Sequence, residues 1–135
     1  MKILVLAIAI YAPVMLLIHV STGKILRAWN EQPSSSISRW FPPRRALRTE
    51  ALFWFLALAA WFLWRSLAWK VLVILFAVIH LGIWAADEFR VNGKNGPAFT
   101  ASPTMKRAIV AFDLVEAIFI AAMGVVAISY LAHAG

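Results

Sequence analysis

Apolar runs long enough to cross a bilayer occupy most of this chain, and no other feature limits its fold as strongly. A spanning helix needs about 20 mostly apolar residues. Residues 3–20, 51–64, 71–86 and 108–131 supply four runs of that order. The first is interrupted only by Pro13, which is expected to kink a membrane helix rather than end it. The second and third are short, and they reach spanning length only if Thr49, Glu50, Arg65, Ser66, Trp69 and Lys70 sit at the interfaces. The fourth is long enough but carries two acids, Asp113 and Glu116.

Hydrocarbon offers the backbone no hydrogen-bond partner, so each run must satisfy its own peptide groups as a helix. The expected fold is therefore an all-α integral membrane protein, one bundle over residues 1–135. It has four transmembrane helices, about 3–20, 49–67, 69–86 and 107–131, with an interfacial segment between helices 1 and 2. The competing reading has three spans: the RSLAWK junction lacks Gly and Pro, so residues 46–87 could form a single bent helix. The apolar content of 63%, against 14% charged residues, excludes both an ordinary soluble domain and a disordered chain. The Lys near the N-terminus invites a signal-peptide reading. The run behind it is long enough to span and no clean cleavage site follows, so a retained first helix is expected.

Two polar connections carry most of the basic residues. Residues 21–49 hold Lys24, Arg27, Arg39, Arg44, Arg45 and Arg48 among Trp29, Pro33, Trp40, Phe41, Pro42 and Pro43, a mixture suited to an interface. Residues 87–107 hold Arg90, Lys94, Lys106 and Arg107 together with the turn signals Asn92-Gly93 and Asn95-Gly96-Pro97. Ser102-Pro103 then reads as the cap and first residue of the last helix. Lys2, Arg65 and Lys70 are the only basic residues on the other side, so the positive-inside rule makes both long connections cytoplasmic and places both termini outside. A bacterial cytoplasmic (inner) membrane is the expected location. The net charge of +7 then faces lipid rather than nucleic acid, with Arg39, Arg44, Arg45 and Arg48 as expected contacts to anionic lipid or a partner.

Intramembrane charge is where chemistry is expected, because a charged side chain at that depth costs a few kcal/mol and needs a partner. Asp113 and Glu116 share one side of the fourth helix, along with Ala117, Ala121 and Gly124. Counting the rise per residue from the basic side puts Asp113 and His80 both about 9 Å deep. The expected polar cluster is His80, Asp113 and Glu116, with His19 at its rim. It reads as a structural pairing, as a proton or cation relay, or as a metal site. No HxxxH or ExxH spacing supports metal, and no metal ligand is assigned. Haem between His19 and His80, or a pigment on one of them, is the remaining cofactor reading.

The chain has no cysteine and no nucleophile elbow, zincin, Walker or dinucleotide-binding motif, so the reading leans away from an enzyme. The expected function is an accessory or scaffolding subunit of a larger membrane complex, partnered by other membrane subunits or by further copies of itself. The alternative is a small oligomeric proton- or cation-coupled transporter using His80, Asp113 and Glu116.

Overall fold

The computed structural model describes residues 1–89 and 102–133, and all the regular structure among them is helical. The elements are α1 (Lys2–Val20), α2 (Thr22–Glu31), α3 (Ser36–Trp40), α4 (Pro43–Ala59), a short 3-10 turn (Trp61–Leu63), α5 (Leu67–Glu88) and α6 (Pro103–His133). Three of them, α1, α5 and α6, are long and apolar enough to cross a membrane. Helix α4 is shorter, at 17 residues. The Asn-Gly turn signals at 92–93 and 95–96, with Arg90 and Lys94, lie outside the described residues.

Helix α1 runs unbroken through Pro13. The single bent helix considered for 46–87 does not form. The chain leaves α4 after Ala59 and re-enters a helix at Leu67. Two side chains stabilise that break. Trp64 donates its indole N–H to the carbonyl of Ala57 at 2.7 Å, satisfying an acceptor in the last turn of α4. Ser66 accepts the Trp69 N–H at 3.3 Å and so caps α5. At the start of α6, Ser102 accepts from the Met105 N–H at 3.2 Å, the cap that Ser102-Pro103 predicts.

The core follows a three-four spacing on each long helix. Val5, Ile8, Ala12, Met15 and His19 are buried on α1, and Glu116, Ile120, Met123 and Ala127 on α6. These two helices form the most extensive contact, with α4 against α5 and α1 against α4 next. Small residues allow the close approach, because a Cβ placed on Gly124 would lie 3.1 Å from the Cβ of Ala12. The outward faces are apolar: Ile3, Leu6, Ile10, Leu17, Val78, Val115, Ile118 and Val125 are all exposed. Greasy outside and polar at a few internal points is the arrangement expected of a chain solvated by hydrocarbon.

The segment between α1 and α4 is folded onto itself. Trp29 on α2 donates to the carbonyl of Phe41 at 2.8 Å, and the Ser38 hydroxyl on α3 donates to the carbonyl of Ala28 at 2.9 Å. Two arginines in the first turns of α4 pair with acids at the end of α5. Arg44 meets Asp87 at 3.0 Å, and Arg48 holds Glu88 through two hydrogen bonds of 3.0 and 2.8 Å. Loop charge alone assigns both to lipid or a partner; the structure commits their guanidinium groups to the end of α5. Arg45 donates to the Trp40 carbonyl, and Arg39 is exposed.

The two pairs differ in burial, and their substitutions should differ accordingly. The Asp87 side chain is only 4% exposed, so Asp87→Ala removes a buried acceptor. It should cost about 1–3 kcal/mol in a detergent-unfolding titration. Glu88 sits at the rim, where solvent screens the pair, so Glu88→Ala should leave the midpoint almost unchanged. Equal losses from both variants would contradict this assignment.

Candidate functional site

The buried polar groups converge at one end of the bundle, where α1 ends, α4 begins, α5 ends and α6 begins. His19 lies near the end of α1 and is 1% exposed. His80 and Glu116 come from α5 and α6, and Glu116 is fully buried. His19 Nε2 lies 3.4 Å from Glu116 Oε1, and His80 Nε2 lies 3.3 Å from Glu116 Oε2. One carboxylate thus faces two imidazoles, one on each oxygen. Glu50 of α4 adds a second carboxylate, with Oε2 3.9 Å from His80 Nε2.

The tautomer of each imidazole follows from its other nitrogen. His19 Nδ1 is 2.8 Å from the carbonyl of Met15, and His80 Nδ1 is 2.8 Å from the carbonyl of Phe76. A carbonyl oxygen only accepts, so both Nδ1 atoms carry a proton. A neutral imidazole then presents a lone pair at Nε2. Two such lone pairs aimed at a carboxylate repel it unless something positive lies among them. Consistent with this, His19 Nε2 and both Glu116 oxygens are buried without a hydrogen-bond partner. Buried polar atoms are nearly always paired, so three orphans meeting at one point mark a candidate cation-binding position. Among the described residues no Lys or Arg forms an ion pair with Glu116, Glu50 or Asp113, so the positive charge comes from protons on the histidines or from a bound cation.

Aromatic rings wall the centre. Trp54 stacks on His80 at 5.6 Å and on Phe76 at 5.5 Å, and Phe112 stacks on His80 at 6.4 Å. Beyond it, Ala12, Met15, Phe53, Val73 and Ile120 form a buried apolar plug. On the opposite side a cavity of about 500 Å³ reaches His80, Glu50, Asp113 and Thr22 between α2, α4, α5 and α6. The centre is therefore approached from the end that carries the long connections.

The structure brings His80 against Glu116 rather than against Asp113, the residue whose expected depth it shares, and it places the other residues differently as well. His19 is not at a rim: it is 1% exposed and lies 3.4 Å from Glu116. Asp113 accepts from the Thr22 hydroxyl at 2.5 Å and lines the cavity instead of pairing with a histidine. Glu50 is missed by a reading that assigns it to the interface. A signal for it exists, since Glu50 falls on the same three-four stripe as Ala46, Leu47, Phe53, Trp54 and Ala57, which are all buried. Haem held between His19 and His80 does not fit, because the Glu116 carboxylate lies between them, one oxygen against each Nε2. His133 is exposed at the far end of α6.

The chain matches no known protein family, no characterised protein and no solved structure.

Proposed function

We propose that this chain is a small cation-handling membrane protein, taking up a proton or metal ion at the centre formed by His19, Glu50, His80 and Glu116. The observation that carries this reading is the meeting of four buried or part-buried side chains, one from each of α1, α4, α5 and α6, with no Lys or Arg among the described residues to balance them. Titratable groups at membrane depth serve ion paths and proton relays in this way. Helix α4 with its 3-10 turn makes the fourth and shortest crossing. The α2–α3 segment lies along the interface, where Arg39 and, in the first turn of α4, Arg45 meet anionic headgroups. The basic end is cytoplasmic, in a bacterial inner membrane with both termini outside, so the cavity opens to the cytoplasm. Four short helices enclose little volume, and passage across the membrane calls for more than one copy.

The test is cation-coupled flux in vesicles containing the purified chain. Glu116→Gln keeps the side-chain volume and removes the charge. It should lower pH-dependent flux at least about tenfold, the scale of losing a well-placed proton-transfer group, while helix content stays the same. Unchanged flux would overturn the reading. A scaffolding role in a larger membrane assembly is a second proposal, supported by the lack of enzyme motifs. Co-purification of other polypeptides in mild detergent supports it, and isolation of this chain alone counts against it.

A further inference from the structure

The geometry points to a divalent transition-metal site here: an ion of the zinc and iron class held by Nε2 of His19, Nε2 of His80 and the carboxylate of Glu116. The inference rests on the cation-binding reading above and names the occupant of that centre.

Four observations support it. The first is spacing. Two ligand atoms about 2.1 Å from one ion at a tetrahedral angle lie about 3.4 Å apart. The observed separations are 3.4 and 3.3 Å, and the three groups offer one ligand atom each within 4.8 Å of one another. The second is orientation. Metal-bound imidazoles ordinarily give their other N–H to a carbonyl or carboxylate, which fixes the ring and raises its basicity. Both histidines do this, each to the carbonyl one turn earlier on its own helix. That leaves Nε2 of each as the free ligand atom.

The third is the unpartnered state of His19 Nε2 and of both Glu116 oxygens at full burial. Protons would have to sit on both nitrogens to pair each with its own carboxylate oxygen, whereas a single ion between them engages both together with the carboxylate. The fourth is charge. Glu116 and Glu50 are two carboxylates with no Lys or Arg ion-paired to either among the described residues, and a divalent ion would balance both when they are ionised. Two imidazoles with carboxylate and no thiolate select a borderline ion over copper(I) and over the hard ions calcium and magnesium. Glu50, 3.9 Å from His80 Nε2 and lining the cavity, is placed to close on the ion as a fourth ligand or to yield that position to an incoming molecule.

The experiment uses the full chain purified in detergent, stripped with chelator and titrated with Zn²⁺, with Co²⁺ as the optical probe. One ion per chain is expected, with Co²⁺ giving the intense visible bands of a four- or five-coordinate ion. His19→Ala, His80→Ala and Glu116→Gln should each weaken binding by at least about 100-fold, beyond the loss typical of removing a group that only supports a ligand. His133→Ala, at the far end of α6, should bind like the parent chain. Binding that survives Glu116→Gln, or a Co²⁺ spectrum like that of the hydrated ion, overturns the metal assignment. The parent spectrum decides even where a variant does not fold. If no metal binds while Glu116→Gln still abolishes proton flux, the metal inference fails and the cation-handling reading stands. If both measurements fail, the centre is purely structural.

Discussion

Trp54→Ala should be among the most damaging single substitutions in this chain, costing about 3–5 kcal/mol of stability. The indole is fully buried. It stacks on Phe76, His80 and Phe119 at 5.5, 5.6 and 6.3 Å and meets Phe53 edge-on at 5.4 Å. Inside a bilayer the transfer of an apolar group from lipid to protein gains little, so packing and shape carry the association of helices. A void at Trp54 removes contacts from several rings at once, and rigid helices collapse around it only in part. The same void removes one wall of His80, so the cation-binding transition should broaden as stability falls. Trp54→Phe fills much of the space and should lose far less. Unfolding titrations in mixed micelles compare the three proteins, and a cost below about 1 kcal/mol for the alanine variant, well under the range for a buried aromatic, would show that the stack does not hold α4 to α5 and α6.

Gly124→Leu should be comparably severe, for the opposite reason. The Cβ position on Gly124 is already 3.1 Å from the Cβ of Ala12, tighter than ordinary contact, and the methyl carbon of an alanine cannot rotate out of the way. Overpacking costs about 1–3 kcal/mol, and a whole isobutyl group at this point belongs at the upper end. The helices α1 and α6 must separate, and that moves His19 away from Glu116, now 3.4 Å apart. Loss of ion binding is therefore expected along with loss of stability, although residue 124 lies about two turns along α6 from Glu116. Gly124→Ala should show a smaller version of both effects, and Ala12→Gly in the same chain should reverse them by clearing the opposing methyl. Failure of that rescue would mean that the crossing is set elsewhere along the seam.

Depth along each helix is legible in the sequence, because a fixed rise per residue converts position into distance from the end of an apolar run. That arithmetic matches His80 with Asp113, one turn short of Glu116, and the structure instead places His80 3.3 Å from Glu116. It misplaces His19, whose nearness to the end of an apolar run suggests a rim position. The chain continues as α2 after a turn at Ser21, so the end of the apolar run is not the edge of the structure. It misplaces Glu50 similarly. Glu50 is the first polar residue before a short run, but α4 starts at Pro43, so Glu50 already lies about two turns inside a helix.

The sequence by itself determined the solvent, since only hydrocarbon accommodates this much apolar surface, and it determined that helices would be the answer. It also determined which residues are costly enough at depth to need partners. Only the tertiary structure decided who those partners are. Each long helix is apolar around most of its circumference, so nothing local states which face turns inward or which neighbour it meets. The close approach at Gly124 and the aromatic stack around Trp54 settle that rotation. By doing so they turn four side chains, far apart along the chain, onto one another.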